Sequence, residues 1–283
     1  MKRLTDPEYW DRAYSNYLVK GSPTRQEIQA SHGLVRSLYN RCFAVGNYAD
    51  SLFWNVICPR YLPKAPAKIL EVGCAPGRKL IKFAKTFGYE PYGIDFSEPG
   101  VEVTRNLFIT NGYNPENVTC VDFLNEDFSE IHKGLFDIVV SMGFIEHFTQ
   151  PNILIKRHVH LLRDGGALLV SIPNLRGINF GLTYLINREA LKFHNLGIMD
   201  FEVFQSLFQH PELDTLFCGY YGTFYCGICI DSEKTNSCFA KICLRLQQIA
   251  DYFLIRFLLK ARLENAVVSP YLLYIGRKKG TAC

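Results

Sequence analysis

The chain has 283 residues, 48% of them hydrophobic and 20% charged, with a mean hydropathy of zero. That balance excludes an intrinsically disordered chain, and the length fits one large domain or one domain with appended helices. A formal charge of +4 suits anionic small ligands but lacks the clustered Lys and Arg of a nucleic-acid footprint, so no nucleic-acid partner is expected.

In chain order, Met1 to Tyr9 carries charge but no apolar run, so no secretory signal is expected. A cytoplasmic chain whose ten cysteines stay reduced follows. Residues 1–66 are expected to form an N-terminal helical cap, with helices near Leu34 to Phe43 and Tyr48 to Cys58 broken by Gly46-Asn47 and stopped by Pro59 and Pro63. From Lys68 short apolar runs alternate with helical spacing. Strands are predicted at Lys68 to Gly73, Tyr92 to Asp95, Val118 to Val121, Phe136 to Ser141 and Ala167 to Ile172. The intervening helices run over Lys79 to Phe87, Pro99 to Asn111 with Ser97 as N-cap, and Ile153 to Leu162, which closes on the turn Arg163-Asp164-Gly165-Gly166. The alternation predicts an α/β fold with a doubly wound, mainly parallel sheet over 67–283.

A long insertion, 173–212, is dense in Phe, Leu and Asn, with helix expected over Glu189 to Phe193 and Phe201 to Phe208. Tyr220 to Ile230 reads as a strand that puts Cys226 and Cys229 on opposite faces, so no metal is expected at this CxxC. Residues 237–265 read as one long helix, with Phe239, Ile242, Leu246, Ile249, Phe253 and Phe257 packing on the body. Lys241, Arg245, Asp251, Arg256 and Lys260 interrupt it too often for a membrane span. A weak contact with a membrane surface, or a dimer contact, is the alternative for its apolar stripe. Tyr271 to Ile275 is a final strand.

The segment Ile69-Leu70-Glu71-Val72-Gly73-Cys74-Ala75-Pro76-Gly77 runs from a strand through an acid into a turn of small residues before a helix. Small residues let the backbone turn tightly and approach a ligand. Taken alone, such a turn is compatible with NAD(P), FAD or S-adenosylmethionine. The GxGxxG spacing of dinucleotide sites is not met, because Gly73 and Gly77 stand four apart with Ala75 between them. Gly73 to Gly77, Asp95, Asp122 and Met142 to His147 all follow strand ends, and ligands in open α/β sheets bind beyond those ends where strand order reverses.

Glu71-Val72-Gly73-Cys74-Ala75-Pro76-Gly77 resembles the first motif of class I S-adenosylmethionine-dependent methyltransferases, with Ala75 where that pattern has its second Gly. Tyr92-Gly93-Ile94-Asp95-Phe96-Ser97 is similar to the second-strand motif, whose acid holds both ribose hydroxyls. Asp122-Phe123 resembles the pair that brackets adenine. Phe136 to Phe148 and Leu161-Leu162-Arg163-Asp164-Gly165-Gly166 are similar to segments of the ubiquinone-biosynthesis-type small-molecule methyltransferases. The resemblance covers roughly 68–174. It implies a Rossmann-like sheet of seven strands with the last antiparallel, and S-adenosylmethionine as cofactor. It also implies cofactor contacts from Glu71, Gly73, Cys74, Ala75, Gly77, Asp95, Phe96, Asp122, Phe123, Met142 and Gly143.

His147, just past the fourth strand, is the candidate general base, since methyl transfer to a hydroxyl needs positioning and loss of a proton near neutral pH. Insertion 173–212 is expected to form the acceptor lid, with Tyr184, Arg176 and His194 touching the acceptor. The function expected is methyl transfer to a hydroxyl of a sugar, a lipid-linked compound or a secondary metabolite, by a monomer or homodimer. Methylation of a small amine and non-catalytic cofactor binding are the alternatives.

Overall fold

The computed structural model describes residues 1–20, 47–229, 238–257 and 263–280. The expected helix at Leu34 to Phe43 lies outside them. The chain opens instead with a helix the periodicity did not reveal, α1 (Pro7–Lys20). Helix α2 (Tyr48–Leu52), capped by Asn47, passes through a π turn (Phe53–Ile57) into α3 (Cys58–Tyr61). Strand β1 (Lys68–Val72) leads to α4 (Arg78–Phe87), β2 (Glu90–Asp95) to α5 (Glu98–Thr110), and β3 (Val118–Cys120) to the short α6 (Glu126–Ile131). Ser97 caps α5 as expected, its side chain accepting from the Gly100 amide at 3.3 Å. Strand β4 (Phe136–Met142) is followed by α7 (Pro151–Leu161) and β5 (Leu162–Pro173). The turn expected at Arg163 to Gly166 is a bulge inside β5, where pairing with β4 jumps from Phe136–Leu162 to Ile138–Ala167.

Seven strands form one sheet in the order β3-β2-β1-β4-β5-β7-β6, where β6 is Leu213–Tyr221 and β7 is Tyr271–Lys278. Strands β1 to β5 pair in parallel, and β7 enters antiparallel between β5 and β6. The order reverses between β1 and β4, which fixes the switch point at the end of β1. Successive residues of β1 feed opposite cores, because side chains alternate across a strand. Ile69 joins Phe53, Trp54, Phe83 and Phe108 on one face, whereas Leu70 joins Leu154, Ile155, Val159 and Phe204 on the other. Helix α1 packs against α5.

The insertion contains α8 (Gly177–Ile186), a 3₁₀ turn over Arg188–Lys192 and α9 (Phe201–Ser206). Two expectations are corrected farther on. The CxxC lies in a 3₁₀ turn (Cys226–Cys229) beyond the end of β6, so the opposite-face argument does not apply. The thiols are buried hydrogen-bonding groups: Cys226 Sγ donates to Gln247 Oε1 at 2.9 Å, and Thr183 Oγ1 donates to Cys229 Sγ at 3.1 Å. Helix α10 (Cys238–Phe257) presents its other face to the body. Gln247 and Asp251 are buried, and Asp251 accepts from the Tyr48 amide at 3.0 Å. Ile242, Leu246, Ile249, Phe253 and Phe257 stay exposed. Among the described residues no helix is long and apolar enough to cross a membrane.

Candidate active site

The turn after β1 is folded back onto β2 by two hydrogen bonds, the Gly73 and Cys74 amides both donating to Ile94 O at 2.9 and 3.0 Å. Gly73 has φ +70, and a Cβ there would stand 2.8 Å from Phe144 Cδ2. Only glycine takes both the conformation and the space. Asp95 closes the turn from the other side: its Oδ2 accepts from the Ala75 amide at 3.1 Å and its Oδ1 from the Ser97 amide at 3.0 Å. A carboxylate oxygen accepts more than one hydrogen bond, so both retain capacity for a ligand hydroxyl. Burial raises the pKa of Asp95, against the pull of those amides.

These ends border a cleft that opens to solvent. Gly73, Asp95, Phe96, Asp122, Phe123 and Gly143 line it, and so does His147. Glu71 at the end of β1, the turn residues Cys74, Ala75 and Gly77, and half-buried Met142 at the end of β4 are not wall residues. The remainder of the wall was not foreseen. Arg3, Thr5, Trp10 and Tyr14 come from the N-terminal segment, joined by Ile94, Val121, Phe144 and Phe148. Arg3 pairs with Asp122 at 2.5 Å and lies 4.8 Å from the centre of the Phe96 ring. Tyr14 donates to Ala75 O at 3.1 Å, and Ser97 Oγ donates to Asp11 Oδ1 at 2.6 Å. The N-terminal arm is thus strapped across the cleft. The sequence signal for it was the aromatic pair Trp10 and Tyr14, four residues apart and hence on one helical face.

The match to the Methyltransferase domain family spans residues 52–220. The chain belongs to this family. Its motifs and sheet place it among the class I S-adenosylmethionine-dependent methyltransferases. A ubiquinone biosynthesis O-methyltransferase of Thiobacillus denitrificans is 29% identical over 142 residues, 50% of this chain and 60% of that protein. Another, of Xanthomonas axonopodis pv. citri, is 30% identical over 125 residues, 43% of this chain and 49% of that protein. The matching segment thus spans about half the length of these curated relatives. Among solved structures, the plantazolicin methyltransferase BpumL covers 98% of each chain with a TM-score of 0.53 at 17% identity, a likeness of fold.

The residues fit the cofactor of this family. Besides the glycine cradle and the Asp95 oxygens, Glu71 is 3% exposed and its Oε2 has no hydrogen-bond partner. Burial pushes its pKa up to about 8, against the pull of Lys79. A buried, unsatisfied carboxylate beside the turn suits a cationic ligand group.

The turn after β4 borders the same cleft. Glu146 is 1% exposed, its Oε2 is unpartnered, and burial raises its pKa to about 8. His147 Nδ1 lies 3.0 Å from Phe193 O and 2.8 Å from Thr5 Oγ1, and the ring meets Trp10 edge-on at 5.3 Å. Burial, then neighbouring His194, lowers the His147 pKa to about 3, so its 3.9 Å approach to Glu146 Oε1 is not an ion pair at neutral pH. His194 stacks obliquely on His147, ring centres 4.7 Å apart. The two strands of chain are tied together by the Asn195 amide donating to Glu146 O at 2.7 Å. Tyr184 and Arg176 are not brought to this cleft. Arg176 pairs with Asp200 at 3.2 Å, and Tyr184 lies under the Arg188 guanidinium at 4.7 Å. The insertion meets this turn through Phe193 to Asn195, while Arg3, Thr5, Trp10 and Tyr14 of the N-terminal segment line the cleft.

Proposed function

We propose that this chain methylates a hydroxyl group of a small molecule. The single observation that carries the reading is that one cleft joins the Gly73–Asp95 end to a neutral, half-buried histidine, His147. S-adenosylmethionine supplies an electrophilic methyl group on a positively charged sulfur. The chain's part is to bind, orient and exclude water. In this reading Asp95 takes the ribose hydroxyls, Phe96, Asp122 and Phe123 bracket the adenine, and Gly73 with Glu71 receives the amino-acid end. The imidazole of His147 offers the acceptor side a nitrogen lone pair, and the acceptor enters between Trp10, Thr5 and Phe144. The likeness to O-methyltransferases of ubiquinone biosynthesis supports a hydroxyl over an amine.

The test is incubation with isotopically labelled S-adenosylmethionine and a panel of small phenols, sugars, lipid-linked alcohols and amines, with products read by mass spectrometry. Label on oxygen in at least one product is expected. Label on nitrogen alone would replace the reading by amine methylation, and tight cofactor binding with no product across the panel would replace it by a binding role.

A further inference from the structure

We propose that Glu146, His147 and His194 bind one divalent transition-metal cation at the acceptor edge of the cleft. The proposal takes its location from the cofactor reading above and departs from the expectation of a metal-free site. One ligating atom from each of the three side chains lies within 4.8 Å of the other two. Small side-chain rotations bring such a trio to the roughly 2.0–2.2 Å bonds that nitrogen and carboxylate ligands make.

Both imidazoles are set up as ligands. His194 Nδ1 lies 2.6 Å from Ala190 O, and His147 Nδ1 lies 3.0 Å from Phe193 O. A carbonyl oxygen only accepts, so each Nδ1 carries the proton and each Nε2 keeps its lone pair. Metal-bound histidines characteristically donate their second ring N–H in this way, which fixes tautomer and orientation. Thr5 Oγ1, 3.2 Å from Phe193 O, holds the same carbonyl in place.

Glu146 offers the third ligand. It is buried, its Oε2 has no hydrogen-bond partner, and His147 Nε2 stands 3.9 Å from its Oε1. A buried carboxyl oxygen left without a partner is costly, and metal coordination is a standard way to satisfy it. Two imidazoles and one carboxylate suit Zn²⁺, Mn²⁺, Fe²⁺ or Co²⁺, whereas Mg²⁺ and Ca²⁺ favour all-oxygen shells. A His₂Glu set also leaves positions open, as in catalytic zinc sites.

Those positions face the cleft. His147 lines it, and so does Gly143, where an added Cβ would come within 3.4 Å of Glu146 Oε1. An acceptor hydroxyl entering there would place its oxygen on the cation, and His147, with its Nε2 on the metal, would then serve as a ligand in place of the base role. The acceptor O–H bond then breaks, the proton passes to water and the electron pair stays on oxygen. A bound divalent ion lowers the pKa of a coordinated water from 15.7 to about 7, and a hydroxyl is activated in the same sense.

The test uses full-length protein stripped with a chelator and titrated with Co²⁺ followed by visible absorption, with Zn²⁺ as competitor. About one equivalent of Co²⁺ per chain is expected, displaced by Zn²⁺. Glu146→Gln and His194→Asn should each weaken binding by about 100-fold or more, while still binding S-adenosylhomocysteine, which shows that they fold. Cys226→Ser should leave the stoichiometry unchanged, and Asp95→Ala should keep Co²⁺ while losing cofactor. Wild-type protein that takes up no Co²⁺ or Zn²⁺, or uptake that survives both Glu146→Gln and His194→Asn, would overturn the proposal. Failure of the cofactor reading looks different: metal uptake intact, with S-adenosylhomocysteine affinity indifferent to Asp95→Ala.

Discussion

Replacing Gly73 by valine puts a branched Cβ against Phe144, in a backbone at φ +70 that branched residues avoid. Gly73→Val should therefore lose S-adenosylmethionine binding outright, measured by calorimetry. Glu146 makes the opposite kind of prediction. Its pKa is raised by burial to about 8, so charging it above that pH costs stability in the ligand-free protein. Glu146→Gln keeps the shape and removes the charge. It should raise the melting temperature of stripped protein at pH 9, by roughly 2–4 °C for each ~1 kcal/mol gained. At this scale the sequence was legible where one residue type answers one local demand, as with Gly73 and Asp95. His194 stood among the acceptor candidates, but its pairing with His147 was not legible, because only the tertiary path of the insertion brings the two rings together.

Helix α1 and the arm before it hold the cleft through Arg3, Asp11 and Tyr14. Arg3→Ala removes the ion pair to Asp122 and the cation over Phe96. It should weaken cofactor binding by about 1 kcal/mol, roughly fivefold in Kd, with little change in melting temperature. In α10 the apolar stripe read from periodicity is the solvent face, while Gln247 and Asp251 make the buried contacts. The reason is local: Asp251 and Gln247 satisfy backbone groups of Tyr48 and Cys226, which would otherwise be buried unpaired. Asp251→Ala should then cost about 1–3 kcal/mol in chemical denaturation, whereas Phe253→Ala should stay within about 0.5 kcal/mol. Periodicity identified this helix and misassigned its faces, because two polar residues with specific partners outweighed an apolar row.

For the whole molecule the alternation of apolar runs and helical spacing was enough to read the parallel core, since buried parallel strands are continuously apolar and helices between them are amphipathic. The strap across the cleft and the CxxC turn depend on long-range packing, which spacing along the chain does not encode. Buried titratable groups also set a pH signature. Glu71 and Glu146, raised from 4.5 to about 8, contribute stability that is full below pH 4.5 and lost as pH rises through 8. His147 and His158, lowered from 6.5 to about 3 and about 4, contribute stability that is full above pH 6.5 and lost as pH falls through those values. Between about pH 4.5 and 6.5 the two trends offset each other. Thermal melts of stripped protein should show a plateau there and a decline on either side, and Glu146→Gln should flatten the alkaline limb.

The cofactor predictions rest on the cleft at the end of β1 being the cofactor site, and Asp95 is where that claim is most exposed. Calorimetric titration of S-adenosylhomocysteine into wild-type and Asp95→Ala protein, each checked for folding by circular dichroism, tests it directly. Loss of the charged hydrogen bonds to two hydroxyls predicts a drop of about 1.5–3 kcal/mol, roughly ten- to 150-fold in Kd. Equal affinity in the two proteins would contradict the account.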